Sequence, residues 1–198
     1  AVIKELFENS IDAKASNISI LIREGGQKLI SVSDNGSGMT PSEISLAVER
    51  HATSKLPDDN LVDIKYFGFR GEALPAIGAV SNLQIVSRTK ENDSGWKIDV
   101  KGGKISLPVP SSAVQGTTVK VSNLFFATPA RLKFLKSPKS EQNRIIEVFK
   151  RICIAHPEIS FKLSNENKEL FNLPSLNISS EDIWLQRISA ILGISFFH

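Results

Sequence analysis

Residues 4–13, Lys4-Glu-Leu-Phe-Glu-Asn-Ser-Ile-Asp-Ala13, constrain this chain most, because they form an amphipathic helix whose two faces make opposite demands. Ile3, Leu6, Phe7, Ser10 and Ile11 recur at helical spacing and predict a side buried against a core. Glu5, Asn9 and Asp12 stand on the other stripe. An exposed Glu5 would gain from a Lys or Arg four residues on, but that position is an amide, and the next group along is another carboxylate. Such an oxygen-rich stripe suits Mg²⁺, which takes oxygen ligands and keeps several waters. A carboxylate beside such a water can act as a general base. A merely solvated face is the competing account, and for this helix taken alone it is the better one.

The bulk properties narrow the class. The chain has 198 residues, 41% hydrophobic and 23% charged, which is enough for one sizeable core. A net charge of +3 and a pI near 9.0 permit a nucleic-acid partner without requiring one. The single cysteine, Cys153, excludes an internal disulfide; set among Phe149, Ile152 and Ile154 it reads as a buried apolar thiol in a reducing compartment. The run 188–197 is too short to span a bilayer, and no leader is visible. The chain opens inside a helical pattern and stops in a strand-like one, so a domain cut from a longer protein at both ends is expected.

Residues 17–22 alternate polar and apolar, Glu24-Gly-Gly-Gln27 supplies a turn, and 28–33 resume the alternation, which predicts a hairpin. The second strand runs into Asp34-Asn-Gly-Ser-Gly-Met39. By itself Asp-Asn-Gly is ordinarily a hairpin turn. Here Thr40-Pro-Ser-Glu43 follows, with an N-cap threonine, proline at N1 and glutamate at N3, so the unit is strand, glycine loop, helix. Gly36 and Gly38 are expected to take positive φ and let the backbone approach a ligand. Asp34, when ionised, can only accept hydrogen bonds, and an adenine amino group is a natural donor. Without a ligand, water is expected at this carboxylate, since leaving it unpaired is costly.

Further along, Tyr66-Phe-Gly-Phe-Arg-Gly-Glu-Ala-Leu74 sets glycines around Arg70 ahead of a helix-like run that accommodates Pro75 in its first turn. Free N–H groups there suit phosphate. Residues 81–89, 97–101 and 103–109 predict an antiparallel meander, and 116–122 a further strand. Thr128-Pro129 reads as N-cap and N1. A helix is expected over 140–155, a hairpin over 159–173 and a last helix over 180–192, closed by Gly193. His51, His156 and His198 lack partners at ligand spacing and read as structural. Arg131, Lys133, Lys136 and Lys139 read as solvated surface, with no stacking aromatics alternating between the charges.

Together, Lys4-Glu-Leu-Phe-Glu-Asn-Ser-Ile-Asp-Ala13, Asp34-Asn-Gly-Ser-Gly-Met39, Arg50-His-Ala-Thr-Ser-Lys55, Gly68-Phe-Arg-Gly-Glu-Ala-Leu74 and Gly116-Thr-Thr-Val119 resemble the motif series of MutL-type DNA mismatch-repair proteins. These belong to the ATPase superfamily shared by gyrase, heat-shock chaperones and histidine kinases. Thr128-Pro-Ala-Arg131 through Phe134 adds a sixth motif that resembles the MutL branch.

The resemblance implies an α/β (α+β) two-layer sandwich of the Bergerat type, a mixed, mostly antiparallel sheet with helices on one face. ATP would lie between helices and a mobile lid. Glu5 is then the catalytic general base and Asn9 the Mg²⁺ ligand. Asp34 reads adenine, with Thr117 supporting it through water, and Gly36, Gly38 and Met39 shape the pocket. Thr53, Ser54 and Lys55, with the loop Gly68, Phe69, Arg70, Gly71, Glu72, Ala73 and Leu74, form the lid over the phosphates. Glu8 and Asp12 receive no role beyond tuning or solvation.

For the longer protein the resemblance implies an intracellular homodimer, bacterial cytoplasmic or nuclear, that signals between a MutS-type mismatch-recognition protein and a downstream nuclease or helicase, with non-specific DNA contact and no membrane. Relatives carry a segment before this helix and a following domain that supplies a lysine to the γ-phosphate. The chain by itself is therefore expected to be monomeric and a weak ATPase. The alternative is a nucleotide-regulated scaffold or DNA-binding module without significant hydrolysis. Glu5 and the Gly68 loop argue against a histidine kinase.

Overall fold

The computed structural model describes residues 2–49, 72–126, 128–176 and 182–193. Helix α1 (Val2–Asp12) leads into β1 (Asn17–Arg23), a 3₁₀ turn (Glu24–Gly26) and β2 (Leu29–Asp34), the predicted hairpin. Helices α2 (Pro41–Val48) and α3 (Ala73–Ala79) precede β3 (Asn82–Arg88), β4 (Gly95–Lys101), β5 (Lys104–Ile105), β6 (Val109–Ser111) and β7 (Gly116–Ser122). The short α4 (Pro129–Leu132), the long α5 (Pro138–Ala155), β8 (Ser160–Ser164), β9 (Glu169–Leu173) and α6 (Ile183–Leu192) complete the described elements.

The strands form one sheet in the order β5-β4-β3-β7-β2-β1-β8-β9, with β6 on β4. Every pairing is antiparallel except β1 with β8. The two-residue alternation of the strands then decides the layers. Ile18, Ile20, Val32, Ile85, Ile98 and Val119 are buried on one face, together with Leu6 and Phe7 of α1, Ile44 of α2, Ile77 of α3 and Phe149 of α5. Alternate positions such as Ser19, Asp99, Lys120 and Lys162 are exposed. Helices therefore cover one face of a mixed, mostly antiparallel sheet, as expected. Phe7 anchors α1 in it, with ring centroids 6.0 Å from Phe149 and 5.9 Å from Phe161.

Local chemistry sets several boundaries. At α2 the Thr40 hydroxyl accepts from Glu43 N and the Glu43 carboxylate accepts from Thr40 N, a complete capping box. Helix α5 begins at Pro138, earlier than expected, because Ser137 caps it by accepting from Ser140 N. Thr128 and Pro129 take the expected N-cap and first-turn positions of α4, but the Thr128 hydroxyl makes no capping bond and donates back to the Phe125 carbonyl at 3.4 Å. The stretch 103–109 is not one strand. Ser106 bridges to Asp99 through its backbone N–H and its hydroxyl, and Pro108 follows, so β5 and β6 pair separately with the two ends of β4.

Cys153 is fully buried, and burial pushes its thiol up to about 12, so it is a neutral core residue. Among the described residues no helix is long and apolar enough to cross a membrane.

Candidate functional site

The core face of the sheet is laid down in rows by strand register. Ile30, Val121, Leu83 and Val100 stand opposite one another across β2, β7, β3 and β4; Val32, Val119, Ile85 and Ile98 make the next row. One further step of the same alternation brings Asp34, Thr117 and Ser87 side by side at the end of three adjacent strands, facing the helix layer. The sequence thus places a polar row where the apolar rows stop.

Each member of the row has specific partners. Asp34 Oδ2 accepts from the Ser10 hydroxyl of α1 at 2.7 Å, and Oδ1 accepts from Gly36 N at 2.9 Å. The Thr117 backbone N–H, on the paired strand, acts on this carboxylate electrostatically and favours its charged form. Burial raises the Asp34 pKa above the usual carboxylate value, and the bonds from Ser10 and Gly36, with the Thr117 N–H, oppose that rise. The Ser87 hydroxyl, fully buried, accepts from Met39 N at 2.8 Å, donates to the Gly116 carbonyl at 3.0 Å and lies 2.7 Å from Thr117 Oγ1.

The glycine turn is shaped by the protein's own backbone. Gly38 has φ +71°, and a Cβ there would come within 2.0 Å of the Arg88 carbonyl oxygen. Gly36 makes no use of the positive φ open to it. It is required because a Cβ would meet the Ala13 carbonyl oxygen at 2.7 Å, where Ser37 N donates to that same oxygen at 3.0 Å. Asn35 turns its side chain outward and accepts from Ser16 N and Asn17 N, tying the turn to the start of β1. Helix α1 and the Asp34 turn are therefore in direct contact, joined by the Ser10–Asp34 and Ser37–Ala13 hydrogen bonds.

On α1, Glu5, Glu8 and Asn9 are partly exposed and Asp12 is exposed. Lys4 Nζ lies 4.0 Å from Glu8 Oε1, a weak surface pair. Among the described residues no group of three or more His, Cys, Asp or Glu side chains converges as a metal cage. The donor set still fits Mg²⁺, because that ion is ordinarily held by one or two protein oxygens with waters and phosphates completing its shell, and Asn9 offers an amide oxygen one turn from Glu5.

Comparison with known proteins decides the family. Residues 1–122 match the family described as Histidine kinase-, DNA gyrase B-, and HSP90-like ATPase. The DNA mismatch repair protein MutL of Paramagnetospirillum magneticum is 50% identical over 99% of this chain, and that of Rhodospirillum rubrum 49% identical over 99%. The Aquifex aeolicus MutL ATPase domain complexed with ADP superposes with a TM-score of 0.78 at 30% identity, covering 98% of this chain and 68% of that one. The chain belongs to the MutL branch of this ATPase family. It spans about a third of the length of the curated MutL relatives, 32% and 31%.

Within this MutL framework the structure brings Asn9, Asp34, Gly36, Gly38, Met39 and Thr117 to one end of the core face, with Glu5 one turn before Asn9 on α1. Thr53, Ser54, Lys55, Gly68, Phe69, Arg70 and Gly71 lie outside the described residues. Glu72 is exposed just ahead of α3, whereas Leu74 is 9% exposed and part of the core. Ser10 and Ser87 are the site residues that sequence reasoning missed. Ser10 was legible only as a small member of the buried stripe of α1; Ser87 gives no signal beyond alternating with Ile85 and Leu83. Arg131, Lys133, Lys136 and Lys139 are exposed, as a solvated surface requires. Phe134, 85% exposed, does stand among them, against the expectation that no aromatic would.

Proposed function

We propose that this chain binds ATP with Mg²⁺ at the end of the core face bounded by α1 and the Asp34 turn, and that hydrolysis there drives a MutL-type mismatch-repair protein. One observation carries this reading. An ionised carboxylate offers roughly four lone-pair sites, and Asp34 accepts protein hydrogen bonds from Ser10 and Gly36 in a partly buried place. Acceptor capacity is left, suited to the amino group of adenine. The ADP carried by the Aquifex aeolicus ATPase domain supports the same ligand class.

In this reading Asp34 selects the base, and Gly38 and Met39 fix the floor beside it. Asn9 holds Mg²⁺ through its amide oxygen, and Glu5, one turn away, takes the proton of the attacking water. When bound, the cation neutralises phosphate charge. Thr53, Ser54, Lys55 and the loop from Gly68 to Leu74 close over the phosphates. Closure favours a homodimer of the longer protein, which passes the signal from a MutS-type partner to a downstream nuclease or helicase on DNA.

Two substitutions, made in the longer protein, test it. Asp34→Asn weakens ADP affinity about ten- to a hundredfold, the weight of a charge-assisted hydrogen bond. Glu5→Ala leaves ATP affinity unchanged and lowers turnover about 10²- to 10⁴-fold, the usual contribution of a general base. Unchanged turnover in Glu5→Ala would favour the scaffold reading. Equal binding of ADP and GDP by the unmutated chain would remove the adenine assignment.

A further inference from the structure

The row beside Asp34 contains a second hydroxyl whose polarity is determined by its neighbour. Ser87 Oγ has one proton and two lone pairs. One lone pair receives Met39 N–H at 2.8 Å, and the Gly116 carbonyl at 3.0 Å and Thr117 Oγ1 at 2.7 Å both lie within reach of its proton. The carbonyl can only accept, so all three contacts are satisfied together only when Ser87 donates to Gly116 and Thr117 donates to Ser87. Resting on the nucleotide reading above, we propose that Ser87 is a positioning residue that fixes Thr117 as a hydrogen-bond acceptor, so that the base site presents acceptors from both Asp34 and Thr117 and selects a 6-amino over a 6-oxo purine.

The arrangement has the rigidity such a role needs. Ser87 is 0% exposed, so no water competes for its proton. Its three partners come from two separate segments: Met39 after the glycine turn, and Gly116 and Thr117 at the start of β7. Gly116 has φ +121°, and a Cβ there would come within 1.9 Å of the Asp34 carbonyl oxygen, so the carbonyl that takes the Ser87 proton is held by the same backbone that positions Asp34. A Thr117 hydroxyl free to rotate would accept from one ligand and donate to another. With its proton committed to Ser87 it can only accept.

The test is the ratio of ADP to IDP affinity, measured by calorimetry on this chain and its variants. Unmutated protein prefers ADP. Ser87→Ala frees the Thr117 proton and lowers that preference about three- to tenfold, the weight of one neutral hydrogen bond. In a Thr117→Val background the same change leaves the ratio unmoved, because Ser87 acts through Thr117. An unaltered ratio in Ser87→Ala, or an equal shift in both backgrounds, overturns the proposal, since a purely structural serine would weaken both ligands alike. Should Ser87→Ala fail to fold, Thr117→Val alone decides: a fall in ADP preference supports an acceptor, and no fall overturns it. If the unmutated chain binds neither nucleotide, the nucleotide reading itself fails and takes this proposal with it.

Discussion

Asp34 and Arg187 are both charged residues taken out of water, and the fold satisfies them differently. Arg187 is 1% exposed; its Nη2 donates to the carbonyls of Pro157, Ile159 and Pro174 at 2.7, 2.8 and 2.9 Å, and its guanidinium lies 5.6 Å from the Phe161 ring centroid. Its partners are backbone groups of the segments flanking β8 and β9, which α6 thereby rivets to the sheet. The Arg187 Nη1, also buried, has no hydrogen-bond partner among the described residues, so what sets this side chain apart is enclosure. Asp34 instead is partly exposed and keeps acceptor capacity beyond its bonds from Ser10 and Gly36. A charge enclosed among the chain's own carbonyls is a structural device, whereas an acceptor kept within reach at the rim of a core face suits a ligand.

The largest effect should come from Arg187. Replacing it with Met keeps much of the volume and takes the donor from the Ile159 and Pro174 carbonyls, while Pro157 keeps its bond from Leu176 N, at about 1–3 kcal/mol for each group that cannot relax to water. A loss of about 2 kcal/mol or more is expected in urea denaturation, or about 4–8 °C in Tm for a chain of this size. ADP affinity of the folded fraction should be unchanged. A loss below about 1 kcal/mol, or a matching drop in affinity, would break the contrast between rivet and site.

The sequence made one of these two centres visible and hid the other. Asp34 was legible because a strand alternation, a glycine loop and a capping box bracket it, each a local signal that tertiary contacts did not override. Arg187 lies in a helical pattern where a lone arginine is ordinarily solvated; only the return of the chain around Pro157 and Pro174 encloses it. Ser10 and Ser87 were hidden for a related reason. A small hydroxyl fits a buried or an exposed position equally well, and only cross-strand register and the seating of α1 show what each touches. The parallel pairing of β1 with β8 was likewise illegible, since it joins residues 17–21 to 160–164 and no local turn announces it. The helix caps at Thr40 and Ser137 and the hairpin of β1 and β2 show what local chemistry does determine.

A smaller effect sharpens the comparison from the other side. Ser10→Ala removes the hydroxyl that donates to Asp34 Oδ2 and so should cost about 1.5 kcal/mol or more of stability, as expected for a hydrogen bond to a charged group. Unlike Arg187→Met, it should also change ADP affinity, because the carboxylate it supports is the one that reads the base. Denaturation and calorimetry on the same sample check both halves. A stability loss with affinity intact would make Ser10 a rivet of the Arg187 kind and detach α1 from base recognition.

The smallest expected effect is a pH dependence with opposite signs in the free and bound protein. Burial raises the Asp34 pKa above its unfolded value, so between the two values the folded chain binds more protons than the unfolded one. Stability contributed by this group is full below the unfolded pKa and is lost as pH rises through the folded pKa. A ligand that donates to the carboxylate favours its ionised form, so ADP affinity should rise over the same window. Asp12 is also shifted upward by burial, so the measurement is the difference between the unmutated chain and Asp34→Asn, taken from about pH 4 to pH 7. In Asp34→Asn the downward slope in stability and the upward slope in affinity should both flatten. The Arg187 variant should keep them, since a guanidinium holds its charge throughout that range. Slopes that survive Asp34→Asn would place the titrating group elsewhere and remove the electrostatic distinction between the two centres.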